Sequence, residues 1–262
     1  MKVAAIGDNC IDMYPSLNRF YPTGNAVDFA VNMQLLGIPT AVISTTGNDE
    51  YGKIMIEALT KKGIDLSHFR VGDGATAISY MELVDLERTY GDYVEGVMEN
   101  VVFTDEDVDF ACSCDLVHSA FWGNAQKHLP KIHAHTKVCF DYATEMNDPL
   151  VEETIPYVDY AFFSYDKRDE KIENFLKDKV AKGCTLAIAT FGEEGSLVWD
   201  GKQFHTFGIF PAKVVNTIGA GDSYLAGFMY GILKGWPIVE CMKKGAEVAA
   251  GVVSVFDPWV ER

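Results

Sequence analysis

The chain has 262 residues, of which 48% are hydrophobic and 23% are charged, values typical of a globular protein and not of a disordered one. Its 38 acidic residues outnumber its 22 basic residues, and the resulting formal charge of −16 argues against nucleic acid and anionic membranes as partners. The sequence contains no apolar stretch of about 18 residues, no recognisable signal-peptide core and no CxxC pair. We therefore expect a cytoplasmic protein with reduced cysteines and no membrane segment.

Short apolar runs alternate with helical patterns along the chain. The predicted strands are Val3–Ile6, Thr40–Ser44, Asp115–His118, Val138–Asp141, Tyr160–Ser164 and Leu186–Thr190. The predicted helices include Ala26–Leu36, Asp49–Lys62, Tyr224–Leu233 and Val239–Phe256. Glycine follows the first three of these helices within two residues, as is typical of helix ends. This alternation predicts an α/β fold with a mostly parallel sheet.

One segment departs from this alternation. Ala75–Tyr93 alternates apolar and polar residues, a pattern typical of half-exposed antiparallel strands. We interpret it as a small β-flap that projects from the α/β body. Such a flap acts as a lid over a site or as a dimer surface.

The most informative motif is the glycine turn that precedes the predicted helix Tyr224–Leu233. It contains Gly219, Ala220 and Gly221, and Asp222 follows directly. Backbone N–H groups at a helix N-terminus attract an anion, and glycines let a phosphate approach closely. Asp222 would then stand beside the phosphate, where its carboxylate accepts a proton from an attacking hydroxyl. The alternative is ordinary helix capping by Asp222. Neither a GxxxxGK[ST] loop nor a GxGxxG fingerprint is present.

Several motifs in chain order carry a resemblance to a known family. Asn216–Asp222 is similar to the pattern DTxGAGD, and Thr190–Ser196 to a TxGxxG turn. The other matching segments are Gly7–Asp12, Thr23–Asp28 (GGNxxN) and Gly47–Gly52 (GxDxxG). Together they resemble the ribokinase-like (PfkB) carbohydrate kinases over nearly the whole chain. This resemblance implies one domain spanning residues 1–262, a three-layer α/β/α sandwich with a mostly parallel central sheet. It also implies a small β-strand lid, with strands within about residues 8–24 and 74–97.

The same resemblance implies roles for individual residues. Asp222 would be the catalytic base, and Gly219, Ala220 and Gly221 would donate N–H groups to the transferring phosphate. The nucleotide would be ATP with Mg²⁺, contacted by Gly219 and Gly221 and by Thr190, Gly192 and Gly195. For the Thr190–Gly195 segment the alternative is a tight turn between strands. The sequence assigns no metal ligand.

On the substrate side, the resemblance implies a set of sugar-binding residues: Asp8, Asp12, Gly24, Asn25, Asp28, Arg88, Asp92 and Trp122. The alternatives are a turn cap for Asp8, an N-cap for Asn25, solvated surface for Arg88 and Asp92, and core packing for Trp122. Asp141 ends a predicted strand at the edge where α/β sheets place ligands.

The choice of substrate rests on segments in which subfamilies differ. The Tyr14-Pro15 pair, Tyr90–Tyr93, Glu95–Met98 and Phe121–Gly123 resemble the family members that phosphorylate the 6-hydroxyl of fructosamines such as fructoselysine. The alternatives are a kinase for another sugar or nucleoside, a non-catalytic sugar or nucleotide sensor, and a nicotinamide-dependent oxidoreductase. A small-molecule sugar or sugar-amine is therefore the expected partner, with a homodimer through the lid strands as a further expectation.

The chain departs from the family pattern at three places. Asn216 stands where the pattern has Asp, beside the family's monovalent-cation site, and this leaves a potassium requirement open. Asp28 stands where the GGNxxN pattern ends in Asn, and the added negative charge favours a cationic substrate. The NxxE segment that helps to organise magnesium is absent after Ser164, where Asp166 and Glu170 offer substitutes.

Overall fold

A computed structural model of the chain describes residues 1–84 and 87–260, with side chains described outside residues 83–90. It contains thirteen strands in these ranges: β1 (Val3–Ile6), β2 (Cys10–Tyr14), β3 (Arg19–Thr23), β4 (Thr40–Gly47), β5 (Phe69–Gly72), β6 (Ile78–Val84), β7 (Glu87–Val94), β8 (Leu116–Ala120), β9 (Lys137–Asp141), β10 (Tyr160–Ser164), β11 (Leu186–Thr190), β12 (Ser196–Trp199) and β13 (Phe204–Phe207). The helices in the same ranges are α1 (Asn25–Leu35), α2 (Glu50–Lys61), α3 (Asp105–Cys112), α4 (Leu129–His133), α5 (Pro149–Thr154), α6 (Glu170–Ala181), α7 (Ala220–Leu233) and α8 (Ile238–Val252).

Nine strands form the central sheet in the order β13-β12-β11-β10-β9-β8-β1-β4-β5. The strands from β11 to β5 are parallel, and β12 and β13 add an antiparallel edge. All four residues of β1 are buried, as are the apolar residues of β8. Strands buried on both faces are expected to be continuous apolar runs, and this is why the sequence revealed them.

Helices cover both faces of this sheet. On one face Phe162 of β10 packs edge-to-face on Phe228 of α7, with ring centroids 5.5 Å apart. On the opposite face the next residue, Phe163, packs on Phe175 of α6 at 4.8 Å. Buried side chains of α1, α2, α7 and α8 belong to the first layer, and those of α3 to α6 to the second. The predicted α/β/α sandwich with a mostly parallel sheet is confirmed.

A second, four-stranded sheet has the order β3-β2-β6-β7. Strand β2 pairs antiparallel with β3 and parallel with β6, and β6 pairs antiparallel with β7. The antiparallel strands predicted within Ala75–Tyr93 are thus present as β6 and β7, and they are joined to a pair of strands from residues 10–23. We call this sheet the lid sheet; its closure over a site stays a prediction. The side chain of Arg88, on β7, lies outside the described residues.

The predicted helix Val239–Phe256 is wrong at its C-terminal end, because α8 stops at Val252. Beyond that point the backbone turns toward another segment, and the Val253 carbonyl accepts the N–H of Val215 at 2.8 Å. The Phe256 ring then packs edge-to-face on Tyr14, 5.5 Å away. Within the described ranges, no helix combines the length and apolarity that a bilayer crossing requires.

Candidate active site

The carboxyl ends of the parallel strands bring distant parts of the chain to one edge of the central sheet. Asp8 follows β1, Trp122 follows β8, and Asp141 and Thr190 end β9 and β11. Ligands of open α/β sheets bind at this edge. Three of the predicted site residues, Asp8, Trp122 and Thr190, therefore lie at the edge at which a ligand is expected.

The glycine turn forms the N-terminus of α7. Gly219 precedes the helix with a φ of +66°, a left-handed conformation that glycine adopts without strain. Among the described residues no side chain caps this end of α7, and a Cβ atom added at Gly221 would meet nothing within 4 Å. The Ala220 N–H donates to the Thr217 carbonyl oxygen at 3.3 Å, whereas the space beside Gly221 is open. The α7 dipole adds to the attraction of this helix end for an anion.

Asp222 lies in the first turn of α7, and its side chain is 9% exposed. One carboxylate oxygen accepts a hydrogen bond from Asn25 Nδ2 at 3.1 Å. Burial raises the pKa of Asp222 to about 8, and the negative charges of Asp141 and Asp8 add to the increase. The carboxyl group is thus tuned to exchange a proton near neutral pH, as a general base requires.

Asn25 does not cap α1, because the N-cap is Gly24 and Asn25 is the first helical residue. Its backbone N–H donates to Asp8 Oδ2 at 2.9 Å, while its side chain reaches Asp222. Gly24 has a φ of +131°, and a Cβ atom there would stand 2.8 Å from the Asp8 carbonyl oxygen. Asp8 therefore fixes the start of α1, and Gly24 permits the close approach. The other Asp8 oxygen, Oδ1, is buried without a hydrogen-bond partner among the described residues.

Asp28, on α1, lies on the side of the candidate site that faces the protein interior. Its carboxylate accepts hydrogen bonds from the Thr23 hydroxyl at 2.7 Å and from Trp259 Nε1 at 2.8 Å. Only 2% of Asp28 is exposed, and burial and the charge of Asp222 raise its pKa. Asp28 thus lies behind the glycine turn with both oxygens hydrogen-bonded, and its contact with a substrate stays a prediction.

The remaining substrate-side residues differ in exposure. Asp12 is buried on β2, and Asp92 is exposed on β7. Trp122 is 51% exposed and packs edge-to-face on Phe121, so the alternative that it fills the core is wrong. Its exposed indole at the sheet edge is available for stacking on a sugar.

The Thr190–Gly195 segment makes a tight turn from β11 to β12. Gly195 has a φ of +89°, and a Cβ atom there would overlap the carbonyl oxygen of Phe207. That glycine is required by strand packing. Gly192, with a φ of +56°, has open space around it, and the Thr190 hydroxyl stands 3.5 Å from that of Ser164. Both interpretations of this segment are therefore compatible with its geometry.

One residue near the site, Trp259, was missed by the sequence analysis, and another, Tyr93, was included there only as part of the segment Tyr90–Tyr93 and given no role of its own. Tyr93 of β7 is 49% exposed as a whole, and partial desolvation of its hydroxyl together with the nearby Cys10 and Asp8 raises its pKa. Its place at the end of the alternating flap was the signal that could have identified it. Trp259 donates a hydrogen bond to Asp28, 231 positions away in the sequence, and no local sequence pattern predicts that contact.

Comparison with known proteins agrees with this architecture. Residues 7–258 match the profile of the pfkB family carbohydrate kinases. The chain is 39% identical to fructoselysine 6-kinase of Shigella flexneri, covering 98% of this chain and 99% of that protein. It is 29% identical to the fructosamine kinase FrlD of Bacillus subtilis, covering 98% and 92%.

A solved structure shares the fold. The ribokinase of Arabidopsis thaliana complexed with ribose and ATP superposes with a TM-score of 0.86 at 20% identity, covering 97% of this chain and 92% of that one. With a family profile that spans almost the whole chain and a relative at 39% identity, the assignment is settled. The chain belongs to the pfkB family of carbohydrate kinases and is an ATP-dependent kinase with the ribokinase fold.

Proposed function

We propose that this kinase transfers the γ-phosphoryl group of ATP to the 6-hydroxyl of fructoselysine or a related fructosamine. The relatives named fructoselysine 6-kinase and fructosamine kinase support this substrate class. The observation in the structure that carries it is a group of buried carboxyl groups for which the described residues supply no lysine or arginine partner.

Four carboxylates supply that charge: Asp8, Asp28, Asp141 and Asp222. None of them forms an ion pair with a lysine or arginine whose side chain the structure describes. Burial raises the pKa of each one, so their charged forms are poorly stabilised by the protein alone. A fructosamine brings an ammonium group next to its sugar, and this cation would offset the charge in a way that fructose or ribose cannot.

Asp222 would act on the sugar hydroxyl. As the oxygen of the 6-hydroxyl bonds to the γ-phosphorus, its proton passes to the Asp222 carboxylate and the bond from phosphorus to the β-phosphate oxygen breaks, releasing ADP. Asn25 donates to one oxygen of Asp222 and so leaves the other to face the hydroxyl. The hydrogen bond thus orients the base without neutralising it.

The N-terminus of α7 would stabilise the charge on the transferring phosphoryl group. Its N–H groups are fixed by the helix before the substrate arrives, so no reorganisation is needed during the reaction. Gly221 leaves space on that side for the phosphate oxygens.

Magnesium would depend chiefly on the nucleotide. Among the described residues no group of three His, Cys, Asp or Glu side chains is arranged to hold a metal ion. Mg²⁺ in phosphoryl-transfer sites usually takes one or two carboxylates together with phosphates and water. The donor set fits an ion that arrives with ATP and neutralises its phosphates, and it does not fit a permanent metal site.

The test is ADP release from ATP and Mg²⁺ with fructoselysine, fructose, ribose and adenosine as acceptors. The proposal expects kcat/KM for fructoselysine to exceed that for fructose by at least about a hundredfold, as a well-placed ion pair predicts. Equal rates on fructose would reject the fructosamine assignment while leaving the kinase intact. No ADP release with any of the four acceptors would also reject the fructosamine assignment and would indicate an acceptor outside this panel.

The homodimer through the lid strands stays a proposal. Phe20, Tyr80, Tyr93 and Val94 on these strands are between 37% and 49% exposed, which gives the lid sheet apolar surface to bury. Sedimentation equilibrium of the purified protein tests it, since a monomer at micromolar concentration would reject the dimer.

A further inference from the structure

Asn216 has an unusual position at the start of the catalytic turn. It is 5% exposed, and its side-chain amide is fully used. Nδ2 donates to the carbonyl oxygen of Phe256 at 2.8 Å and to the Tyr21 hydroxyl at 3.4 Å, while Oδ1 accepts the N–H of Ile218 at 3.1 Å. One side chain therefore joins the glycine turn, the chain beyond α8 and a strand of the lid sheet.

The chain beyond α8, which we call the C-terminal segment (residues 253–259), adds further contacts to the same junction. Pro258 lies against Gly219, 3.3 Å from the position of an added Cβ atom. Asp257 forms an ion pair with Arg19 of the lid sheet at 3.0 Å. Trp259 donates to Asp28. The C-terminal segment thus supports the glycine turn from behind and links it to the lid sheet.

The resemblance places a monovalent-cation site beside position 216, where the family pattern DTxGAGD has Asp. The donor set of this chain does not fit such an ion. A cation needs oxygen lone pairs directed at it, but Asn216 directs N–H groups at the Phe256 oxygen and the Tyr21 hydroxyl. The neighbouring Val253 carbonyl already accepts the N–H of Val215. The Phe256 and Val253 carbonyl oxygens near position 216 therefore already accept N–H groups of the protein, and Asn216 adds no anionic ligand for a cation.

We propose that Asn216 is a positioning residue that ties the glycine turn to the C-terminal segment by direct hydrogen bonds, so that turnover needs no potassium. This inference goes beyond the proposed function, because it concerns the phosphate side of the site and holds for any sugar acceptor. Asn216 touches no reacting atom. It acts by fixing the backbone that precedes Gly219 and Asp222.

The test compares the wild type with Asn216→Asp in potassium, sodium or tetramethylammonium chloride. The new carboxylate would face the Phe256 carbonyl oxygen at the distance of the present hydrogen bond, 2.8 Å, and the two acceptors would repel each other. We expect wild-type kcat to be the same in all three salts within about twofold. For Asn216→Asp we expect kcat in tetramethylammonium to fall about tenfold or more, the cost of one buried hydrogen bond, and to recover with potassium.

Thermal unfolding gives a readout that does not need turnover. Potassium should raise the Tm of Asn216→Asp and leave that of the wild type unchanged relative to tetramethylammonium. Asn174→Asp, an exposed site on α6, is the matched control for the added charge and should behave as the wild type. Asn216→Ala removes the donors without adding charge, so its kcat should fall with no recovery in potassium.

Two results would overturn the proposal. One is wild-type activity that rises tenfold or more with potassium; the other is full activity of Asn216→Asp or Asn216→Ala in tetramethylammonium. If Asn216→Asp does not fold, the salt response of the wild type and the behaviour of Asn216→Ala still decide. If fructoselysine is not phosphorylated at all, the proposed function fails while the thermal-unfolding comparison still tests this inference.

Discussion

Replacing Asp141 with Asn should shift the pH profile of the kinase toward acid, because Asp141 helps to raise the pKa of Asp222. With that pKa at about 8, roughly one molecule in a hundred has an ionised Asp222 at pH 6, and kcat/KM should lie about a hundredfold below its plateau. Burial raises the pKa of Asp141 itself to about 6, so Asp141 is charged over the range in which Asp222 titrates. Removing that charge should lower the Asp222 pKa and raise kcat/KM at pH 6.5 several-fold relative to the plateau.

The assay is kcat/KM for the sugar acceptor from pH 5.5 to 9.5 at saturating ATP and Mg²⁺, for the wild type and Asp141→Asn. The acceptor's own ionisations are common to both enzymes, so only the difference between the two profiles is interpreted. Asp109→Asn, an exposed change on α3, is the matched control and should titrate as the wild type. Superimposable profiles for wild type and Asp141→Asn, or a flat wild-type profile between pH 6 and 8, would refute the reasoning.

Three further predictions concern the base, a turn and a buried histidine. Asp222→Asn should lower kcat by two to four orders of magnitude, roughly the contribution of a general base. Its affinity for ATP, measured by calorimetry, should be retained. A kcat close to that of the wild type would show that Asp222 is not the base. Gly195→Ala should lower the Tm and should lower the free energy of unfolding by about 2 kcal/mol or more. The reason is that Gly195 has a positive φ and the added methyl group overlaps the Phe207 carbonyl oxygen. An unchanged midpoint of denaturant unfolding would contradict this prediction. His118 is fully buried on β8, and burial lowers its pKa to about 3, so the fold favours the neutral imidazole. The free energy of unfolding should therefore fall as the pH drops below about 6.5, where the unfolded chain takes up a proton on His118. His118→Leu should flatten that decline, as measured by urea unfolding at pH 5 and pH 7.

The central sheet was predictable because its signal is local. Strands β1, β10 and β11 have the predicted bounds, since each is an apolar run buried on both faces and flanked by polar or turn residues. The glycine turn was also predictable, because its signal is local: Gly219–Gly221 directly precede an apolar helical run, and in the structure Gly219 is the left-handed residue before α7. Because the predicted strands are parallel and joined by crossover connections, their carboxyl ends were expected to lie at the same edge of the sheet.

The C-terminal segment was not predictable in the same way. Its sequence has no helical or strand period after Val252, and two of its contacts, Arg19–Asp257 and Asp28–Trp259, join residues 238 and 231 positions apart. The sequence instead suggested a continuation of the helix to Phe256, since an apolar run beside small residues favours one. Tertiary contacts take the place of further helical hydrogen bonds after α8. The Val253 carbonyl accepts the N–H of Val215, and the Phe256 ring packs on aromatic rings of the lid sheet.

Asn216 shows why a departure from a family pattern is hard to interpret from sequence alone. The change from Asp to Asn removes one negative charge and adds two N–H donors, and the sequence says nothing about where those donors point. In the structure both donors meet oxygen acceptors, and the nearer acceptor, the Phe256 carbonyl, belongs to the segment that sequence reasoning placed in a helix. The substitution and the end of α8 are therefore parts of one arrangement. An amide at position 216 is useful only because the Phe256 carbonyl has left the helix to receive it.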